Sequence, residues 1–193
     1  PQGRPTMNRF FRHGIAIAAA SLIGLAAACS SNNSNTASTA TGSTAGGSGK
    51  IDACKLVSAD QASRILGTKI TVRAIDTSEA GPDAGSMCNY SGGGIGSGFM
   101  LIAAHIGYSD AAAEVASQQK EESSHLPPGI PHPTFSTVEG LGDAAYLYKT
   151  AGSFQLHVLA HGDAIVINRN AAATAKEVDQ TKQIARIALS NLK

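Results

Sequence analysis

The stretch MCNYSGGGIGSG, residues 87–98, sets five glycines and two serines directly behind a cysteine. A run of this kind can cradle a phosphate, form a nucleophile elbow, or simply turn the chain. A dinucleotide loop needs glycines at i, i+2 and i+5 where a helix opens. Counted from Gly92, Gly94 or Gly96, the third position is Ser97, Phe99 or Leu101, so no register fits. No Lys-Ser or Lys-Thr follows to complete a P-loop. Gly-x-Ser-x-Gly fails as well, because Ile95 stands two residues before Ser97. An alternating, strand-like segment follows, so the run is expected to be a flexible hairpin loop.

Other chemistry-bearing residues give equally little. GLGDAA, Gly140–Ala145, matches the looser G-x-G-x-x-A form, but a tyrosine-rich strand follows it and too little chain remains for a nucleotide fold. It reads as a turn into a strand. His157 and His161 stand four apart, which on a helix would offer zinc two ligands. In FQLHVLAHG they fall on a strand, where four residues span roughly 13 Å, too far for one ion. His105, His125 and His132 are isolated, and Asp76, Glu79 and Asp83 are too sparse for a calcium loop. No catalytic residue, cofactor or metal is assigned. Tyr146 and Tyr148 share a strand face, where they could line a ligand groove or pack on the sheet.

The elements that carry these residues follow from pattern. LVSADQASRILG opens the folded part with a helix: Ser58 and Gln61 make a capping box, Val57 can staple, and Gly67 suits the C′ position. Lys69–Ile75, Met87–Ser91 and Phe99–Ile106 read as strands. Glu79–Gly85 reads as a loop, and Asp110 starts an alanine-rich helix with acid at its N-terminal end. Four prolines in His125–Pro133 exclude helix or central strand there. Ala144–Thr150, Phe154–Ala160 and Asp163–Asn168 read as strands joined by AGS and HGD turns. Thr174 and Glu177 form a second capping box, opening a helix to about Asn191 with Val178, Ala185, Ala188, Leu189 and Leu192 on one stripe. The order α-β-β-β-α-β-β-β-α implies an α+β fold, an antiparallel sheet with helices packed on it. It allows an αβββ duplication followed by a C-terminal helix.

The first fifty residues read differently. Arg9, Arg12 and His13 precede an apolar run, Gly14–Ala28, that is shorter than the roughly 20 residues a membrane span needs. With its small-residue end, this predicts a signal peptide over 1–28. Met7 is a plausible start, with 1–6 an upstream extension. LAAAC, Leu25–Cys29, resembles the bacterial lipobox, in which the cysteine is lipidated and becomes the mature N-terminus. The usual leucine three before the cysteine is Ala26 here, with Leu25 one place earlier. Each buried acyl CH₂ contributes about 0.8 kcal/mol, so several palmitate-type chains on Cys29 would give a stable anchor. Residues 30–50 contain nothing apolar larger than alanine and are expected to be a disordered tether of roughly 25 Å root-mean-square reach, leaving 51–193 as the folded domain. Loss of Arg4, Arg9 and Arg12 would leave 12 Lys and Arg against 14 Asp and Glu, net −2. That balance gives nucleic-acid binding little electrostatic support.

In an exported, oxidising compartment the two remaining cysteines, Cys54 and Cys88, read as a structural disulfide. DACKLVSADQASRILG, the CNYS strand, VEGLGDAAYLY and LHVLAHGDAIVI before a closing helix together resemble a group of bacterial envelope lipoproteins built around an uncharacterised domain. The likeness covers about residues 51–193. Its Asp-x-Cys opening and Cys-x-Tyr strand imply the same Cys54–Cys88 bridge, and it brings no catalytic residues. More distantly, the layout is similar to extracytoplasmic sensor domains of bacterial receptor kinases, which by analogy favours binding over catalysis. The expectation is a membrane-anchored envelope lipoprotein on the exported side whose domain binds a small ligand or an envelope partner without catalysis. Its rivals are an envelope hydrolase assembled from distant residues such as His105, Asp143 or Ser97, and a purely structural envelope protein.

Overall fold

Apolar residues that alternate along a strand can be buried on one face only, and here that rule organises seven strands. The computed structural model describes residues 51–78, 85–94, 96–124 and 132–192. Its strands are β1 (Thr71–Ile75), β2 (Ser86–Ser91), β3 (Phe99–His105), β4 (Thr134–Thr137), β5 (Ala144–Lys149), β6 (Phe154–Ala160) and β7 (Asp163–Arg169). They lie in the order β1-β2-β3-β7-β6-β5-β4, every neighbour antiparallel. Two meanders thus meet where the last strand of each pairs, β3 against β7. The fold is α+β, as the element order implies.

Strand register sorts the two faces. Cys88, Leu101, Ile167, Leu156 and Leu147 form one row across β2, β3, β7, β6 and β5, and all are buried. Ala103, Ile165, Val158 and Ala145 make a second buried row on that face. Helices α1 (Ala53–Leu56), α2 (Ala59–Leu66) and α4 (Ala175–Asn191) close over these rows and complete the core.

A four-residue helix cannot hold itself, since nucleation alone is unfavourable. α1 is fixed from outside. Asp52 caps it by accepting from the Cys54 N–H, and Cys54 is bonded to Cys88 of β2. Its orphan carbonyls find donors: the buried Tyr90 hydroxyl gives to Val57 O at 2.8 Å, and Asn191 Nδ2 gives to Leu56 O at 3.0 Å. Burial pushes the Tyr90 phenol up to about 12, so it stays a donor. Its ring stacks on Phe99 with centroids 4.2 Å apart. α2 shows both halves of the Ser58–Gln61 box, and Gly67 ends it at φ 70°.

α4 departs from its expected cap. Thr174 accepts from the Glu177 N–H, but the Glu177 side chain does not return the bond. It pairs instead with Nη2 of Arg169, whose side chain is only 2% exposed. A buried guanidinium needs a counter-charge more than the helix needs a second cap bond. Nε and Nη1 of Arg169 have no hydrogen-bond partner among the described residues.

The remaining helix, α3 (Ala111–Ser124), lies on the opposite face, because its Gln118 meets Tyr146, whose row (Met87, Ile102, Val166, His157, Tyr146) alternates with the buried one. A two-fold axis relating the antiparallel β3 and β7 would keep both helices on one face. Any duplication of the sheet therefore does not extend to its helices. β4 carries no strand signal in the sequence: TFST has a single large apolar residue and is held as an edge by β5 alone. Of the two loop expectations, 79–84 and 125–131 fall outside the described residues.

The Cys54–Cys88 bond ties α1 to the sheet. Replacing both cysteines by serine should leave a folded domain that is about 2–5 kcal/mol less stable in urea denaturation. An unchanged midpoint would mean that Tyr90 and Asn191 suffice to hold α1.

Candidate functional site

β5 and β6 place two aromatic side chains next to one another beneath α3. Tyr146 and His157 are cross-strand partners, their rings stacked with centroids 4.5 Å apart. Alternation puts both on the second face, outside the hydrophobic core, yet both are buried. Phe135 of β4 packs against Tyr146 with centroids 6.1 Å apart, and polar groups complete the surroundings. From α3, Gln118 and Glu122 reach the Tyr146 hydroxyl, Gln118 Oε1 at 3.1 Å and Glu122 Oε1 at 3.5 Å. His157 Nδ1 lies 2.9 Å from the same oxygen, and Nε2 lies 2.9 Å from Gln155 Oε1. Gln118 Nε2 donates to Glu114 Oε1 at 3.0 Å, extending the chain along the helix.

Burial sets the electrostatics. The charged form of a buried group is disfavoured, so carboxyls and phenols rise and imidazoles fall. Glu122 is raised to about 7, mainly by burial, with the Tyr146 hydrogen bond opposing. Its side chain is 27% exposed, but Oε2 is enclosed and has no hydrogen-bond partner. His157 is lowered to about 3 by burial. Tyr146 and Tyr148 are both raised by burial, each with Glu122 adding to the effect. Between about pH 3 and about pH 7 the cluster is a neutral polar network.

Tyr146 and Tyr148 share this face as expected. Tyr148 is half-buried, with Phe135 against its edge at 5.5 Å between centroids. Tyr146 is fully buried and lines no open groove. Farther along the face, Met87, Met100, Ile102 and Val166 stay half-buried, and Ile75 at the edge is 38% exposed.

A second cluster occupies the end of the sheet where β3, β5, β6 and β7 meet loops. His105 Nδ1 and Asp163 Oδ1 are 2.8 Å apart, with the imidazole 70% exposed and the carboxylate 13%. Nearby, Asp143 accepts from the Tyr108 hydroxyl at 2.6 Å and from the His161 N–H at 2.9 Å. Those two bonds hold Asp143 below its ordinary pKa, while burial and then Asp143 push Tyr108 up to about 12. His161 and Gly162, at φ 56° and 87°, form the two-residue β6–β7 turn. The preceding GLGDAA segment is indeed a turn into a strand: Gly142 sits at φ 58°, and a Cβ there would lie 2.2 Å from Leu159 O.

The structure brings His105 and Asp143 to one end of the sheet but leaves Ser97 at the other. β3 separates His105 from the glycine loop by about 20 Å. Ser97 Oγ is occupied in that loop, accepting from Gly94 N–H and donating to Gly94 O. Among the described residues no group of three or more His, Cys, Asp or Glu could hold a metal ion. A shallow cleft of about 380 Å³ beside α1 is lined by Asp52, Ile75, Thr77 and Ser86. No described helix is long and apolar enough to cross a membrane. Cys29 lies outside the described residues, as does His125. Sequence reading missed Glu122, Gln118 and the His157 contact, since nothing in an alanine-rich helix marks which of its polar residues will be covered.

Tyr146→Phe tests the network. It removes the hydroxyl shared by His157 and Gln118 and strands buried polar atoms, a loss of about 1–3 kcal/mol by chemical denaturation. A neutral effect would show that water already serves these atoms.

No family model matches the chain, and no curated protein matches it. Among solved structures it is similar to a GTP binding regulator from Thermotoga maritima, with a TM-score of 0.34 and 10% identity over 69% of this chain and 89% of that one.

Proposed function

We propose that the chain is an exported lipoprotein, anchored through Cys29 and tethered by residues 30–50, whose domain binds without catalysis. The second sheet face is its binding surface, contacting the apolar body of a small ligand or of an envelope partner. One observation carries this reading. The core face is closed by three helices, whereas the row Met87, Ile102 and Val166 on the other face is left half-covered beside α3. Half-exposed apolar side chains in cross-strand register offer a continuous contact strip to a partner. The hydrolase reading keeps one feature in its favour, the exposed His105 oriented by Asp163. Against it, the Ser97 hydroxyl is engaged in its own loop at the far end.

Two measurements test the proposal. Metabolic labelling with palmitate should mark the wild type and not Cys29→Ala, and an unlabelled wild type would end the lipoprotein reading. Native mass spectrometry of the exported chain should show a bound species that Ile102→Asp loses while its circular dichroism stays unchanged. A species retained by that variant would move binding off this face.

A further inference from the structure

α3 is held to the sheet by polar atoms. Its one buried residue is Gln118, and Glu114 and Glu122 flank it one turn away on either side. An amphipathic helix is kept in place by apolar area, which tolerates changes of charge state. α3 hydrogen-bonds to Tyr146 of β5 and brings Glu122 to 3.7 Å from His157 of β6, and these contacts depend on where the protons are.

The count of hydrogens around Tyr146 is informative. Three potential acceptors, His157 Nδ1, Gln118 Oε1 and Glu122 Oε1, surround one hydroxyl oxygen at 2.9, 3.1 and 3.5 Å. A hydroxyl donates once and accepts twice. Gln118 commits its Nε2 to Glu114, so its Oε1 takes the phenol hydrogen. The other two groups must then bring hydrogens of their own. His157 does so as its Nδ1–H tautomer, which requires the Gln155 amide, placed with Oε1 against Nε2, to be flipped so that its NH₂ donates. Glu122 does so as a carboxylic acid. Its enclosed, partnerless Oε2 agrees, because an ionised oxygen there would be desolvated with nothing to offset it.

We propose that α3 is a lid over Tyr146 and His157, docked by one proton that Glu122 carries when the lid is down and His157 carries when it is up. Lifting α3 would extend the contact strip on the second face by two aromatic rings, so the purpose of the lid rests on the binding reading above. The titratable groups facing Glu122 are Tyr146 and Tyr148 from β5 and His157 from β6, with Glu114 and Glu121 on its own helix. Among the described residues Glu122 makes no ion pair with lysine or arginine; its nearest basic group is His157 Nε2, at 3.7 Å.

The pH dependence follows by linkage. Glu122, raised from 4.5 to about 7 when docked, favours docking in acid, and that contribution is lost as pH climbs to about 7. His157, lowered from 6.5 to about 3, favours docking above pH 6.5, and that contribution is lost as pH falls towards 3. Between pH 4.5 and 6.5 the two cancel, since both forms of the protein hold one proton on different residues. Docking should be flat across that window and weaken on either side of it.

Hydrogen exchange of α3 amides in the full chain, expressed as protection factors corrected for intrinsic rate, reads this directly. Wild-type protection should change by less than about threefold between pH 4.5 and 6.5. In Glu122→Gln only His157 titrates, so protection should rise more than about tenfold over the same window. In His157→Asn only Glu122 titrates, so it should fall by more than about tenfold. A tenfold wild-type slope, or two variants as flat as the wild type, overturns the proposal. Should a variant not fold, the wild-type Glu122 carboxyl carbon decides by NMR: a midpoint near 7 supports the lid, and one near 4.5 refutes it. No ligand enters these measurements, so their failure would leave the binding reading standing, and the reverse.

Discussion

Every feature of this domain hangs on the pleat of one seven-stranded sheet. Neighbouring residues on a strand must face opposite ways, so Cys88 and Met87, or Leu101 and Ile102, are committed to different environments by adjacency alone. The antiparallel register carries that commitment across five strands without a slip. One row becomes the core, and the next becomes the surface on which α3 rests. A one-residue shift at any ladder would exchange them, leaving Leu156 and Ile167 outside and His157 within the hydrophobic core. The helices add to a decision already made by the strands.

Much of this was readable in the sequence, because its signals were local. The Ser58–Gln61 box, the Gly67 stop and the three strands from Ala144 to Arg169 depend on neighbours a few residues away, and they appear where expected. The glycine run proved to be a hairpin loop closed by Ser97, again a local matter. Expectations faltered where a distant group intervened. Glu177 has the spacing of half a capping box, but Arg169 claims its carboxylate. α1 has no signal of its own in the sequence, because its four residues owe their helix to Tyr90, Asn191 and Cys88 rather than to their own propensity. The candidate site was half legible. Tyr146 and Tyr148 stood out by spacing, while the side chains that cover Tyr146 come from a helix more than twenty residues away.

The two buried charged or titratable clusters are solved in opposite ways. Arg169 cannot be neutralised at any ordinary pH, so it takes a carboxylate from the first turn of α4. Glu122 and His157 can both shed their charge, and burial drives each to its neutral form. The first arrangement is a fixed structural pair. The second remains responsive to its surroundings, which suits an element that covers a surface rather than building the core.

The sheet ends in two short strands, β1 with five residues and β4 with four. Open edges present unpaired N–H and C=O groups that invite another chain to add itself. Here Arg73 lies in the middle of β1, and Pro133 immediately precedes β4. A charge and a missing donor at these places offer little template for intermolecular strand growth. Blunted edges let this domain keep an apolar strip on its face without polymerising through its margins.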